Sequence, residues 1–196
     1  YLNKIGDRKI WCAASTHSSE EIFCAKTHLL LKKKYDDILT IIIPRHIDRI
    51  ARIKSELEKL NLKTCLYSKF DEINVKTDIL LIDAYGESSK FFSIAKYVFL
   101  GGSLIKHGGQ NPIEASRLGC KIFHGPNIDN FFEIYEYLKS LKIANQIYNS
   151  EELNQSLVEE FKLGKVDNNQ IIEKIDNYGK NILNNVINDL KKYINI

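Results

Sequence analysis

The sequence predicts an α/β fold in which a parallel sheet carries helices on both faces. Short β-branched apolar runs alternate along the chain with segments whose apolar residues recur at helical spacing. One of the runs, "DILTIIIP", is apolar almost throughout, as a strand covered on both faces must be. No internal repeat or low-complexity linker interrupts the alternation. Repeated strand-helix units require right-handed crossovers, which place helices on both sides of one sheet.

The elements follow in order. "KIWCAAST" is a short apolar run ending in small polar residues, read as the first strand. "SSEEIFCAKTHLLLKKK" is a helix, for which Ser18 and Glu21 form an S-x-x-E capping box and Lys32, Lys33 and Lys34 suit the negative C-terminal end. "DILTIIIP" is the second strand. "HIDRIARIKSELEKLNL" places Ile47, Ile50, Ile53, Leu57 and Leu60 on one helical stripe. Strands are then expected at "KTCLYS", "TDILLID", "YVFLGG", "KIFHG" and "NQIYN", and helices at "SSKFFSIAK", "PIEASRLG" and "NFFEIYEYLKSLK". Two further helical stretches close the chain, "SEELNQSLVEEFKLG" and the segment from Val166 onward.

The chain has 196 residues, 44% of them hydrophobic, enough for a real core in a domain of ordinary size. A formal net charge of +3 falls well short of the one-sided excess of a nucleic-acid binder and suits a small anionic ligand. Cys12, Cys24, Cys65 and Cys120 form no CxxC or Cys/His cluster, so they are read as reduced core residues in a cytosolic setting, and no metal is expected. No apolar run approaches the ~20 residues that span a bilayer, and the start of the chain lacks a signal-peptide pattern, so the chain is expected to be soluble. The sequence has no methionine, which predicts that Tyr1 is not a translation start and that the chain is part of a longer protein.

In an open parallel sheet, ligands bind outside the carboxyl ends of the strands. The loop after the first strand, "ASTHSSEE", contains neither GxGxxG nor GxxxxGK[ST], which argues against a dinucleotide domain and a P-loop. The stretch "GGSLIKHGGQNPIEASRLG", residues 101–119, is more informative. Gly101, Gly102, Gly108 and Gly109 permit positive φ and close backbone approach, and Pro112 suits the first turn of a helix. Amides at that helix start favour a phosphate, and Glu114 in its first turn is placed to accept hydrogen bonds from ribose hydroxyls. Phosphate and ribose side by side imply a nucleotide. The plainer alternative is that the glycines shape a turn and Glu114 complements the helix dipole.

These residues resemble a known family. "GGSLIKHGGQNPIEA" is similar to the signature loop of the 3-deoxy-D-manno-octulosonic acid (Kdo) transferases, GT-B glycosyltransferases that add Kdo from CMP-Kdo to a lipid A precursor. "ASTHSSEE", "IIIPRH", "IDAYGE" and "GPNIDNF" resemble that family's other motifs in the same order, so the resemblance covers roughly residues 10–133, and more weakly the remainder. It implies a Rossmann-like C-terminal, donor-binding domain over residues 9–163, an interdomain linker at 1–8, and a C-terminal helix at 164–196 that packs back toward an N-terminal domain. That other domain would carry the general base, the lipid A precursor site and a membrane anchor at the cytoplasmic face of the bacterial inner membrane. The catalytic residue is therefore not expected in this chain, which alone would bind donor without transferring it.

The resemblance further implies an inverting reaction with CMP as the leaving group, needing neither metal nor other cofactor. Carried onto this sequence, Gly108, Gly109, Gln110 and Asn111 hold phosphate and Glu114 holds ribose. Arg45 contacts phosphate or the sugar carboxylate, or else is a solvated helix-start arginine. Gly86 and Glu87 lie near base or ribose, with helix capping the alternative for Glu87. Ser15, Thr16 and His17 line the cleft where Kdo meets the acceptor. Lys106 and His107 either attract the anionic donor or are simply solvated. Asn130 is expected to cap a helix and Asp83 to close a turn. The sequence departs from the family pattern in having Gln110 at a usual histidine, Ser19 at a usual glycine and Tyr85 where methionine is common.

Two competing classes remain open. Another GT-B enzyme, a UDP-sugar transferase or 2-epimerase, would use the same ribose carboxylate but prefer uracil. A non-catalytic α/β interaction domain with Asp83 at a strand end would need an acidic cluster near the first strand, where "CAAST" offers none. A degenerate fragment that keeps the fold but has lost activity is a further alternative, for which Gln110 is the best support. "NDLKKYINI" offers a basic helix end for anionic lipid headgroups or, as is more usual, for solvent.

Overall fold

The computed structural model describes residues 5, 8–164 and 169–194. Residues 1–4 and 6–7, most of the expected linker, lie outside the described residues, as do 165–168 and 195–196. The strands are β1 (Ile10–Thr16), β2 (Leu39–Pro44), β3 (Thr64–Leu66), β4 (Ile79–Leu81), β5 (Tyr97–Leu100), β6 (Lys121–His124) and β7 (Ala144–Gln146). The helices are α1 (Glu20–Lys32), α2 (Ile50–Glu58), α3 (Ser88–Ala95), α4 (Ile113–Arg117), α5 (Phe132–Ser140), α6 (Ser150–Leu163) and α7 (Asn169–Ile194).

The strands form one 7-stranded sheet in the order β3-β4-β2-β1-β5-β6-β7, with every pairing parallel. Chain progress runs one way from β1 through β2 and the other way from β5 through β7. The reversal lies between β1 and β5, so the loops after these strands open a crevice at the switch point, where ligands bind in such sheets.

Alternation along each strand feeds two cores. Ile10, Cys12, Ala14, Ile41, Ile43, Leu80, Val98, Leu100 and Ile122 point to one face, where Phe91 and Phe92 of α3, Ala115 of α4, Tyr135 and Leu138 of α5 and Ile175 of α7 cover them. Trp11, Ala13, Ile42, Leu81, Phe99 and Phe123 point to the other, under Cys24, Ala25 and Leu31 of α1, Ile53 and Leu57 of α2, and Leu153 and Leu157 of α6. Burial on both faces is the physical reason the strands read as continuous apolar runs. All four cysteines are buried and free, and burial pushes the Cys120 thiol up to about 12.

Two local expectations fail. The Ser18–Glu21 capping box does not form: α1 begins after Ser19, which is left-handed at φ 78 with no side-chain cap, and both glutamates turn inward. A left-handed backbone is the conformation that favours glycine, so Ser19 is held there under local strain. Asn130 does not cap α5 either. Its Nδ2 donates to the His107 carbonyl at 3.2 Å, tying one loop to another.

The start of α7 is anchored by buried Ile175, an Arg117–Asp176 ion pair at 2.8 Å and a Tyr137–Tyr178 stack. Its later turns expose Ile182, Leu183, Val186, Ile187, Leu190 and Tyr193 along one side. No helix among the described residues is long and apolar enough to cross a membrane.

Candidate functional site

The site is built by two loops that one buried carboxylate joins. β1 ends in a bulge: Ser15 adopts φ 54, and the register with β2 slips between Ala14 and Thr16. The chain then enters α1 through Glu20, which is 1% exposed. Its two oxygens accept backbone N–H bonds from His17 at 2.8 Å, Gly102 at 2.7 Å, Ser103 at 3.2 Å and Leu104 at 3.1 Å. Burial pushes this carboxyl up while the four amides pull the other way. Thr16 is wholly buried, and its hydroxyl donates to Glu21, which pairs with Arg49 at 2.9 Å. Thr16 thus supports the loop from beneath and does not face the cleft.

The glycines after β5 have separate reasons. A Cβ at Gly101 would lie 2.5 Å from the Ser15 carbonyl oxygen and 2.8 Å from a Glu20 oxygen, so no side chain fits under the loop. Gly108, at φ +90, would press a Cβ to 2.3 Å from Asn130 Nδ2. Asn130 closes on that loop from the β6 side, its backbone N–H donating to the Gly108 carbonyl at 3.1 Å. The Gly109 N–H donates to Gly102 at 2.9 Å, and the Tyr135 hydroxyl donates to the Gln110 carbonyl at 2.9 Å. The amides of Gly102, Ser103, Leu104 and Gly109 are therefore committed within the protein. Of the residues expected to hold phosphate, Gly109 has no free amide to offer.

Basic and imidazole groups gather above Gly102. A Cβ there would approach Gln110 Nε2 and His107 Cδ2 at 3.1 Å and His17 Cδ2 at 3.3 Å. The His17 ring lies 4.2 Å from that of His107 and 5.9 Å from that of His46. His17 Nε2 is buried without a hydrogen-bond partner. Burial first, then the neighbouring His107, His46, Arg49 and Arg45, hold the His17 imidazole down at about 4. Arg45 itself is exposed.

Beside this cluster lies an open groove of about 610 Å³, lined by Ser89, Asn111, Ile113, Glu114, Arg117 and Leu118. Glu114 is exposed and accepts a hydrogen bond from the Ser89 hydroxyl across the groove. Asn111 Oδ1 accepts the Ile113 N–H at 3.0 Å, holding the first turn of α4. At the neighbouring loop Gly86 has φ +80 in open space, and Glu87 accepts from Tyr67 at 3.1 Å and from Lys90 at 3.4 Å without capping α3. Asp83 before it does not close a local turn: it accepts the Ser68 N–H at 2.8 Å and the Ser68 hydroxyl, tying this loop to the segment after β3.

Of the expected residues, the fold brings His17 and Gln110 together over Gly102 with Arg45 within electrostatic reach, and sets Asn111 and Glu114 in the adjoining groove. It places Gly86 and Glu87 at a separate loop and Thr16 underneath. Sequence reasoning missed Glu20 and His46. The signal for Glu20 was an acidic pair at a helix start, which dipole complementation explains equally well.

No family model matches the chain. Over 177 residues it is 30% identical to a 3-deoxy-D-manno-octulosonic acid transferase of Haemophilus influenzae, a match covering 90% of this chain and 40% of that protein. The transferase of Rickettsia prowazekii is 30% identical over 190 residues, 97% of this chain and 40% of its own length. A bifunctional glycosyltransferase/methyltransferase of Fusobacterium nucleatum is 30% identical over 199 residues, covering 98% of this chain and 30% of its own length. The chain thus spans less than half the length of these relatives. The crystal structure of the C-terminal CMP-Kdo binding domain of WaaA from Acinetobacter baumannii shares the fold, with a TM-score of 0.76 over 91% of both chains at 22% identity.

Proposed function

Because the chain is a homologue of the 3-deoxy-D-manno-octulosonic acid transferases over part of their length, we propose that it is the donor-binding domain of such an enzyme, taking CMP-Kdo. The observation that carries the proposal is Glu114 at the start of α4, directly after the glycine loop that follows β5, lining an open groove with Asn111 and Ser89. Glu114 accepts hydrogen bonds from the ribose hydroxyls, giving up its bond to Ser89. The phosphate lies toward Gln110 and Arg45, and the base toward Gly86 and Glu87.

In the transfer step the bond between the anomeric carbon and the phosphate oxygen breaks, and CMP departs with the bonding electrons. Arg45, Lys106 and the imidazoles stabilise that growing negative charge by fixed positive charge and N–H donors, so the step needs no metal. The acceptor hydroxyl, from a lipid A precursor, and the base that deprotonates it belong to a separate domain. Attack from the opposite face inverts the anomeric centre. The exposed apolar side of α7 docks on that domain. The whole enzyme then works at the cytoplasmic face of the bacterial inner membrane, where its lipid acceptor lies.

The test is a calorimetric titration of the chain with CMP, with UMP and NAD as controls at one salt concentration. Preferential CMP binding supports the proposal. Preference for UMP would replace it with a UDP-sugar enzyme of the same fold, and absence of binding to all three would remove the donor-site assignment.

A further inference from the structure

We propose that Asp176 of α7 is a positioning residue for the groove: by pairing with Arg117 it keeps that guanidinium off Glu114, so that the ribose acceptor stays open while the start of α7 is seated. The inference rests on the donor-binding reading and adds a control to it.

Glu114 and Arg117 stand three residues apart on α4, the spacing at which an acidic and a basic side chain on one helix meet. Both line the groove. Left to themselves the two would pair with each other, and the carboxylate would be taken up. Each has a partner on another helix instead. Glu114 accepts from the Ser89 hydroxyl at the start of α3, and Arg117 Nε donates to Asp176 Oδ1 at 2.8 Å. Among the described residues no ion pair joins Glu114 to Arg117.

The partners open to Glu114 differ in how a nucleoside can displace them. Ser89 holds the carboxylate by one neutral hydroxyl, a bond that a ribose diol replaces with bonds of the same kind. A guanidinium holds a carboxylate by charge as well as by N–H, which a ribose does not match. Ser89 therefore leaves Glu114 exchangeable, whereas Arg117 would compete with the ligand. Asp176 removes the competitor. The Arg117 side chain is 60% exposed and that of Asp176 37%, so either pairing of Arg117 is weak and a single substitution shifts the balance between them.

Asp176 acts without carrying the fold, because the start of α7 has other anchors. Ile175 beside it is 3% exposed in the core, the Tyr178 ring stacks on Tyr137 at 4.1 Å, and the Tyr137 hydroxyl donates to the Lys174 carbonyl at 3.2 Å. These contacts hold the helix with Asp176 against Arg117, and they remain when the carboxylate is removed. The charge available to Glu114 thus depends on where the start of α7 sits.

The experiment measures Kd for CMP by calorimetry with the wild-type chain, Asp176→Asn, Arg117→Ala and the double variant, at low salt and at about 1 M salt, where charges are screened beyond about 3 Å. At low salt Asp176→Asn frees Arg117 to pair with Glu114 and weakens CMP binding by about two- to fivefold, the range that an exposed ion pair provides. In the Arg117→Ala background the same substitution has no effect, because the competitor is gone, and at high salt the loss shrinks in the wild-type background. A loss of equal size in both backgrounds, or one indifferent to salt, would mean that Asp176 only seats α7. Unchanged or tighter binding by Asp176→Asn would mean that Arg117 does not compete. Each of these results overturns the inference and leaves the nucleotide site standing. If the wild-type chain binds no CMP, the donor-binding reading falls and the inference falls with it.

Discussion

The Glu20 carboxylate accepts the Gly102 N–H at 2.7 Å, joining the loops after β1 and β5 across 82 residues of chain. Three further amides converge on the same two oxygens. A carboxylate in this position takes up amides that could otherwise hold a bound anion.

Removing that carboxylate strands buried donors. Glu20→Ala is expected to lower stability by about 3 kcal/mol or more. Glu20→Gln should cost nearly as much, since either orientation of the amide turns an NH₂ toward two backbone N–H groups. Urea unfolding midpoints measure both. A midpoint for Glu20→Gln close to wild type would mean that the four bonds do not act as described.

Gly108 and Gly86 separate two kinds of glycine requirement. Both have positive φ, but a Cβ at Gly86 meets nothing within 4 Å, whereas one at Gly108 meets Asn130. Gly86→Ala should cost only left-handed strain, about 1–2 kcal/mol. Gly108→Ala should cost more than that, because the Asn130 side chain must also shift and give up its bond to the His107 carbonyl. Equal thermal shifts for the two variants would contradict the clamp.

Glu114 is exposed, so Glu114→Ala should leave the unfolding midpoint unchanged. It should weaken CMP binding by about 1.5–3 kcal/mol, the range for a hydrogen bond to a charged group. Unchanged affinity in a calorimetric titration would take Glu114 out of the nucleotide site.

Stability should fall as the solution is acidified below neutrality. Burial holds the His28 and His124 imidazoles below their usual value, and His17 stands at about 4. In the window from about 6.5 down to these folded-state values the unfolded chain binds more protons than the native one, so stability is present in full above the window and lost as pH falls through it. Below about pH 4 Asp78 adds to the loss: burial alone would raise its carboxyl, but His28, Lys32 and the Lys63 N–H hold it well below the ordinary range. A series of urea midpoints between pH 7.5 and 4.5 checks the trend, and a flat series would contradict it.

The apolar side of α7 carries no packing duty within the described residues. Leu183→Asp and Leu190→Asp should change the chain's own stability by no more than about 0.5 kcal/mol. A large loss in thermal unfolding would show that this face is packed inside the chain.

The sequence by itself determined the sheet and its helices, because burial on both faces leaves β-branched runs such as "DILTIIIP" and helical stripes such as Ile53 with Leu57 that local spacing exposes. It also located the loops that matter, since the positive-φ glycines 102, 108 and 109 announce themselves by residue type. Only the tertiary structure decided what those loops do. Glu20 and Gly102 are far apart in sequence, and a glutamate in a helix's first turn looks the same whether it faces solvent or a nest of amides. Thr16 and His17 are adjacent in sequence, yet the first is buried beneath the loop and the second joins His46 and His107 above it. Periodicity reports which face of an element is buried. Which distant loops meet over that face is set by strand order, and for this chain the order reverses between β1 and β5.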